Sequence, residues 1–210
     1  MLYNRYVLPH LINFAMSRDD VTRLRTVQVP KAKGIVLEVG IGSGLNLPFY
    51  TDAVTRLYGV DPSRELLAMA RPRAVSTPFP VKLLEEEAER ISLADASVDT
   101  IVVTWSLCSI ADPARALREM RRVLRADGMF IFVEHGLAPE AGVQKWQNRL
   151  TPVWKRFTGG CHLNRPVADM IRRAGFAIVD LRTEYLPGPR PMTFMYEGLA
   201  HADDSNRERG

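Results

Sequence analysis

The hydrophobic pattern changes period at Gly34. Before it, Tyr3, Tyr6, Val7, His10, Leu11 and Phe14 recur every three or four residues, the stripe of an amphipathic helix. Ser17 is placed to cap a second helix from Asp19 to about Val27, and Pro30 to end it. After Gly34 come short apolar, β-branched runs: Ile35 to Val39, Arg56 to Val60, Val81 to Leu84, Val98 to Thr104 and Met129 to Glu134. Consecutive apolar positions over so few residues predict strands buried on both faces. Helical segments lie between them. One runs from a Ser63 cap to about Ala74; another starts at an Asp112 cap with Pro113 in its first turn, with Gly128 expected just past its end. Strand and helix in alternation predict a parallel sheet with helices on both faces.

Beyond His135 the alternation loosens. Residues 140–157 read as a helix with Val143, Trp146, Leu150, Val153 and Trp154 on its apolar side, and Pro152 is expected to break or kink it. Asn164-Arg165-Pro166 opens a helix that stops at Gly175. Phe176 to Glu184 alternates as a strand, Pro187 to Pro191 turns, and Met192 to Tyr196 returns. A loop that short forces the two strands antiparallel. The expected fold is α/β and Rossmann-like: a mostly parallel seven-stranded sheet ending in an antiparallel hairpin. The chain divides into an N-terminal helical lid over 1–30, one domain over 31–200, and a disordered tail over 201–210.

Composition narrows the class. The 210 residues are 46% hydrophobic and 25% charged, which excludes a disordered or disulfide-stapled chain. The net charge is +4, and much of the excess sits in Arg115, Arg118, Arg121, Arg122 and Arg125, a helically spaced run read as a solvated face. No nucleic-acid-binding module accompanies it. Two distant cysteines, Cys108 and Cys161, point to a reducing, cytoplasmic setting. The four histidines are scattered without paired ligand spacing, so no metal site is expected. No apolar run is long enough to span a membrane. Peripheral contact through the N-terminal helix, with Tyr3, Val7, Leu11 and Phe14 in the interface, stays open.

The chemistry concentrates after the first strand, in Glu38-Val39-Gly40-Ile41-Gly42-Ser43-Gly44. Glycines allow backbone to approach a ligand, and a helix starting there would supply free N–H groups. The dinucleotide fingerprint needs its third glycine one residue later, where Leu45 stands. The spacing G-x-G-x-G, with an acid two residues ahead, resembles the first motif of class I S-adenosylmethionine (SAM) methyltransferases. Leu57 to Ser63, with Asp61, is similar to that family's second-strand motif. Glu87-Ala88-Glu89 followed by Asp95 to Asp99 resembles its third. A narrower resemblance, carried by Leu107-Cys108-Ser109, Glu134-His135, Trp154 and Gly159 to Arg165, is to the methyltransferase-like alkyl thiol methyltransferases and their bacterial relatives.

The resemblance implies SAM as methyl donor, S-adenosylhomocysteine as product and a small-molecule acceptor, with the ligand across the carboxyl ends of the strands. It implies a cofactor shell of Glu38, Gly40, Gly42, Gly44, Asn46, Asp61, Pro62, Glu87, Ala88, Thr104 and Trp105, in which Asp61 holds the ribose hydroxyls and Glu87 the adenine amino group. His135 and His162 are the candidate catalytic bases. A thiol acceptor is the first reading and a phospholipid amine, phosphatidylethanolamine, the second. A nicotinamide oxidoreductase and a non-catalytic SAM-binding module are the rivals of other classes.

Overall fold

The computed structural model describes residues 3–203. A π-helical turn, Tyr3–Val7, leads into α1 (Leu8–Met16) and α2 (Asp19–Gln28). The sheet is built from β1 (Gly34–Val39), β2 (Val54–Val60), β3 (Val81–Leu84), β4 (Val98–Thr104), β5 (Leu124–His135), β6 (Phe176–Tyr185) and β7 (Phe194–Ala202). The helices between strands are α3 (Arg64–Val75), α4 (Pro113–Val123), α5 (Ala141–Phe157), α6 (Val167–Arg173) and α7 (Arg190–Thr193).

Among the described residues the seven strands form one sheet in the order β3-β2-β1-β4-β5-β7-β6. The first five pair in parallel, and β7 runs antiparallel between β5 and β6. The order reverses between β1 and β4, so a crevice opens beyond their carboxyl ends. Alternation along each strand supplies two cores. Leu37, Val39, Ile101, Val103, Phe130 and Phe132 face Leu117, Met120 and Ile171 on one side. Val36, Val102 and Ile131 face Val29, Leu67 and Phe79 on the other. Phe130 touches Phe132 and Phe176, with ring centroids 5.8 and 4.9 Å away.

Most predicted caps hold. The Ser63 hydroxyl accepts the Leu66 N–H at 3.2 Å, and the Asp112 carboxylate the Arg115 N–H at 3.0 Å. Ser17 does not cap α2. Its hydroxyl donates back to the Asn13 carbonyl at 2.6 Å, and extended Arg18 takes the cap position. α4 ends at Val123, well before Gly128, because Leu124 is already extended and pairs with Val98. α5 runs through Pro152 without ending. Its buried residues are Gln147 and Thr151, while Trp146, Val153 and Phe157 are exposed. The predicted apolar side is therefore split: Trp146 and Val153 face outward, Val143, Leu150 and Trp154 are half-buried, and Gln147 is turned inward to bind the Ala138 N–H and the Gly136 carbonyl. The tail also starts later than expected. His201 and Ala202 belong to β7, and the Asp203 N–H reaches the Gly175 carbonyl at 2.8 Å. The rest of that predicted tail, 204–210, lies outside the described residues. The arginine run is partly structural: Arg122 grips Glu119 and Asp95 and the carbonyls of Ile91 and Leu93, and Arg125 pairs with Asp99.

Candidate active site

The stretch after β1 is a tight turn. Gly40, Gly42 and Gly44 all have positive φ, at 72, 55 and 78°. A side chain on Gly40 would fall onto the Ser106 hydroxyl, and one on Gly44 would press Leu47 and Ala70. Gly40 and Gly42 line the cleft; Gly44 instead lets α3 pack close. No α-helix starts here. The chain makes successive turns and one 3-10 turn, Leu47–Phe49, because Pro48 lacks a donor and disfavours helical backbone before it. The expected helix N-terminus is replaced by loop N–H groups held close by glycine.

At the end of β2, Asp61 is buried and its orientation is set by two backbone donors. The Gly42 N–H binds Oδ2 at 3.0 Å and the Ser63 N–H binds Oδ1 at 2.8 Å. A carboxylate has about four acceptor positions, so lone pairs remain for a ligand in the cleft it lines. Burial pushes the Asp61 carboxyl up, against the pull of those two N–H groups. Pro62, Glu87 and Ala88 continue the same wall; Glu87 is exposed and Ala88 buried.

The floor of the cleft is a polar network. Glu38 accepts from the Asn46 amide and the Tyr50 hydroxyl, both at 2.8 Å. Asn46 also donates to Thr104 at 3.0 Å and accepts from Arg25 Nε at 2.9 Å. Burial pushes Glu38 up to about 7, although Tyr50, Asn46 and Arg25 all favour its charged form. Arg25 is buried, pulled down to about 10 by desolvation, and lies 4.7 Å over the Trp105 ring. Trp105 holds a φ of 51°, which a bulky residue rarely adopts, where β4 leaves the sheet.

Ile12, Asn13 and Met16 of α1 close the top of this cleft, with Leu8 and Pro9 beside the Asp61 side. The Ser43 hydroxyl donates to Asn13 at 2.7 Å. Sequence reading missed Arg25, Asn13 and Ser106, and held Ser109 only as part of the Leu107-Cys108-Ser109 resemblance. Only Arg25 left a signal: it shares the buried stripe of α2 with Val21, Leu24 and Gln28 at helical spacing.

Beyond Ser106 the wall is built from three distant segments. Glu134 Oε1 accepts the N–H groups of Ser106 and Leu107 at 2.6 and 2.9 Å, while its Oε2 is buried without a partner. Burial raises Glu134 to about 7 against those N–H donors. The Arg165 guanidinium binds the carbonyls of Leu107 and Ile110, and the His162 N–H binds that of Cys108 at 2.8 Å. The His162 ring is engaged by the same Cys108 carbonyl, at 3.2 Å, and by Arg165, at 3.3 Å. His135 Nε2 lies 3.5 Å from Cys161 Sγ. The Cys161 thiol is drawn down, first by the neighbouring Cys108 thiol and then by His135, against its own burial. Burial lowers His135, but Cys161 outweighs it and the net direction is upward. The histidines predicted as bases are thus occupied by the chain itself, neither lining the cleft.

Comparison with known proteins agrees with this architecture. A methyltransferase domain model matches residues 37–132. The chain is 34% identical over 178 residues to thiol S-methyltransferase TMT1B of Rattus norvegicus, covering 82% of this chain and 71% of that one. It is 33% identical over 148 residues to the phosphatidylethanolamine N-methyltransferase of Cereibacter sphaeroides, covering 68% and 72%. Among solved structures, a Haloferax volcanii methyltransferase in complex with its activator superposes with a TM-score of 0.70 at 16% identity, over 95% and 96% of the two chains. The chain belongs to the class I SAM-dependent methyltransferases. It is an enzyme that moves a methyl group from SAM to a small acceptor. The cleft fits that donor. Two glycines at positive φ bare their backbone to it, one of them where a side chain would strike Ser106, and Asp61 faces it with lone pairs to spare.

Proposed function

We propose that the acceptor is a small hydrophobic thiol or sulfide, and that S-adenosylhomocysteine is the co-product. The observation that carries this is the joining of the two segments most similar to the thiol methyltransferases. Leu107 to Ser109 and Gly159 to Arg165 lie far apart in sequence, yet Arg165 and His162 clamp them together against the cleft. SAM supplies a methyl on a sulfonium whose leaving group is a neutral thioether. The chain has only to hold the partners in line and keep water out.

The backbone of Gly40 and Gly42 faces the methionyl part, Asp61 the ribose and Glu87 the adenine. Glu38 acts through Asn46, since both its oxygens are taken. Thr104 and Trp105 border the transferred methyl. α1 is the lid, and Arg25 ties the lid region to the floor through the Met16 carbonyl and Asn46. His162 is a positioning residue for the Cys108 loop. With both cysteines free, the cytoplasm suits the protein.

The phospholipid reading keeps one specific observation. Tyr6, Leu11 and Phe14 of the N-terminal segment are exposed, and so are Trp146, Val153 and Phe157 of α5. Tyr3 joins the two elements by donating to the Phe157 carbonyl at 2.9 Å. Exposed Lys145, Lys155 and Arg156 flank that apolar surface, as suits peripheral contact with an anionic membrane. No helix among the described residues is long and apolar enough to cross a bilayer. One assay separates the readings. Methyl-labelled SAM is offered with alkyl thiols, sulfide, or phosphatidylethanolamine vesicles. Labelled thioether rising with the thiolate fraction is the expected result; label in the vesicles alone overturns the thiol reading.

A further inference from the structure

The three segments behind the acceptor wall bring together more than hydrogen bonds. Cys108 comes from the loop after β4, His135 from the last residue of β5, and Cys161 from the turn after α5. One ligand atom from each lies within 4.8 Å of the others. A tetrahedral zinc ion, with Zn–S of about 2.3 Å and Zn–N of about 2.0–2.1 Å, sets its nitrogen and sulfur ligands about 3.5 Å apart. The separation of His135 Nε2 and Cys161 Sγ is 3.5 Å. A metal would draw the remaining pairs inward by less than about 1.3 Å, within the reach of side-chain rotation.

The surroundings suit a soft cation. Thiolate and imidazole ligands select zinc-class ions over magnesium or calcium. Each ligand is held from outside. The Cys108 backbone is fixed by His162, its loop by Arg165 and Glu134, and His135 closes the paired end of β5. The indole N–H of Trp154 is buried and directed at Cys161. The cluster also adjoins the wall of the cleft from behind. Cys108 lies between Ser106 and Ser109, which line the cleft, and Cys161 follows Gly159, which lines it too.

We propose that Cys108, His135 and Cys161 form a binding site for a zinc-class divalent ion whose open fourth position takes the acceptor sulfur. The metal site stands on the cluster; the role of its fourth position rests on the thiol reading above. Three protein ligands and one exchangeable position define catalytic rather than structural zinc sites. A thiol that ligates such an ion loses its proton, here to solvent, and binds as thiolate. Its sulfur keeps the electron pair that forms the new S–C bond. The pair of the old C–S bond stays on the donor's sulfur, and the neutral thioether formed is a weak ligand that leaves. Two cysteine thiolates and one substrate thiolate give a divalent ion a net charge of −1. Arg165, hydrogen-bonded to both carbonyls flanking Cys108's loop, offsets it.

The test uses the full chain, purified without a histidine tag under a non-thiol reductant. Mass spectrometry of the metal should find about one zinc per chain. After chelation and loading with Co2+, the protein should show the intense visible bands of tetrahedral thiolate-bound cobalt. Cys161→Ser and His135→Gln should each weaken Co2+ binding about 100-fold or more while SAM affinity, measured by calorimetry, shows the fold intact. Propanethiol should shift the cobalt bands, and methyl propyl sulfide should not. A chain that binds neither ion, or carries a Cys108–Cys161 disulfide in place of metal, overturns the site. Bands unmoved by thiol overturn the role of the fourth position. Undiminished thiol methylation by the metal-free enzyme overturns the proposal and leaves the thiol reading standing. A loaded site with label only in phospholipid overturns the thiol reading and leaves the metal.

Discussion

The proposed donor side and the proposed acceptor side of this cleft are built by opposite means. The donor side comes from nearly contiguous chain: β1, its glycine loop and the end of β2 lie within residues 34–63, and Asp61 is locked by N–H groups from that stretch alone. The acceptor side joins three segments spread over residues 105–165, held by Arg165, Glu134 and His162. Local geometry lets a fixed ligand be held by backbone, which any sequence with the right glycines supplies. A variable acceptor calls for side chains from elements whose spacing can change without disturbing the donor. On this division, substitutions on one side leave the other side's binding intact, except where the two touch.

They touch at Gly40, so the largest effect is expected there. Its Cβ would enter the Ser106 hydroxyl, and φ of 72° excludes a β-branched residue. Gly40→Val should cost about 2–4 kcal/mol of stability by denaturant titration and remove measurable SAM binding. Near-normal affinity in a folded variant would mean that the loop is not the cradle.

Glu38 gives the donor side a pH signature. Its carboxyl is raised from 4.5 to about 7 by burial. A raised folded value means that its favourable contribution is complete below about 4.5 and lost as pH climbs through 7. At about 1.4 kcal/mol per pH unit the full change is at most about 3.5 kcal/mol. Stability should therefore fall between pH 5 and about 8, and Glu38→Gln should flatten part of that fall. Glu134, raised to the same range, retains the remainder. An unchanged slope in the variant would remove Glu38 from this account.

Asp61→Ala confines the damage to the donor. Losing a charge-assisted ligand contact should weaken SAM by about 1.5–3 kcal/mol, at least about tenfold, with the acceptor KM unchanged. Arg165→Ala is the mirror experiment. It frees the carbonyls of Leu107 and Ile110, so kcat/KM for the acceptor should drop about tenfold while SAM affinity stays within about twofold. If both variants damaged both ligands equally, the two-part description would fail.

The same contrast explains what could be read from sequence. The Gly40 and Gly42 turn and the Ser63 and Asp112 caps are local devices that spacing exposed, and Asp61 stood out through the resemblance of the second-strand motif. The strands followed from their apolar runs, and the antiparallel hairpin from a short turn. The helix expected after Gly44 failed because Pro48 overrides the fingerprint four residues on. Trp146 and Val153 of α5 face outward because Gln147 takes the inner face, with buried backbone partners that periodicity does not register. Cys108, His135 and Cys161 are 27 and 26 residues apart, and only the sheet order brings them together. Histidine spacing alone had no access to a group in which two members are cysteines.

The smallest effect concerns the proposed lid. α1 touches the glycine loop through one side-chain hydrogen bond, Ser43 to Asn13 at 2.7 Å, and its outer face carries exposed Leu11 and Phe14. Little apolar area fastens it, since only Leu8 and Pro9 of this helix are buried. Elements of that kind open at low free-energy cost and are suited to admitting a ligand. Asn13→Ala removes a bond worth about 0.5–1.5 kcal/mol from the closed form. Because the bond lies within the lid and not in the core, global stability should change by less than about 0.5 kcal/mol. SAM dissociation, followed by stopped flow, should speed up about three- to tenfold, with association little altered. Asp61→Ala should also speed dissociation, and the double variant should be additive if lid and ribose contact act separately. A rate that stays at the Asp61→Ala value in the double variant would make Asn13 irrelevant once the ribose contact is lost, and would merge the lid with the donor half.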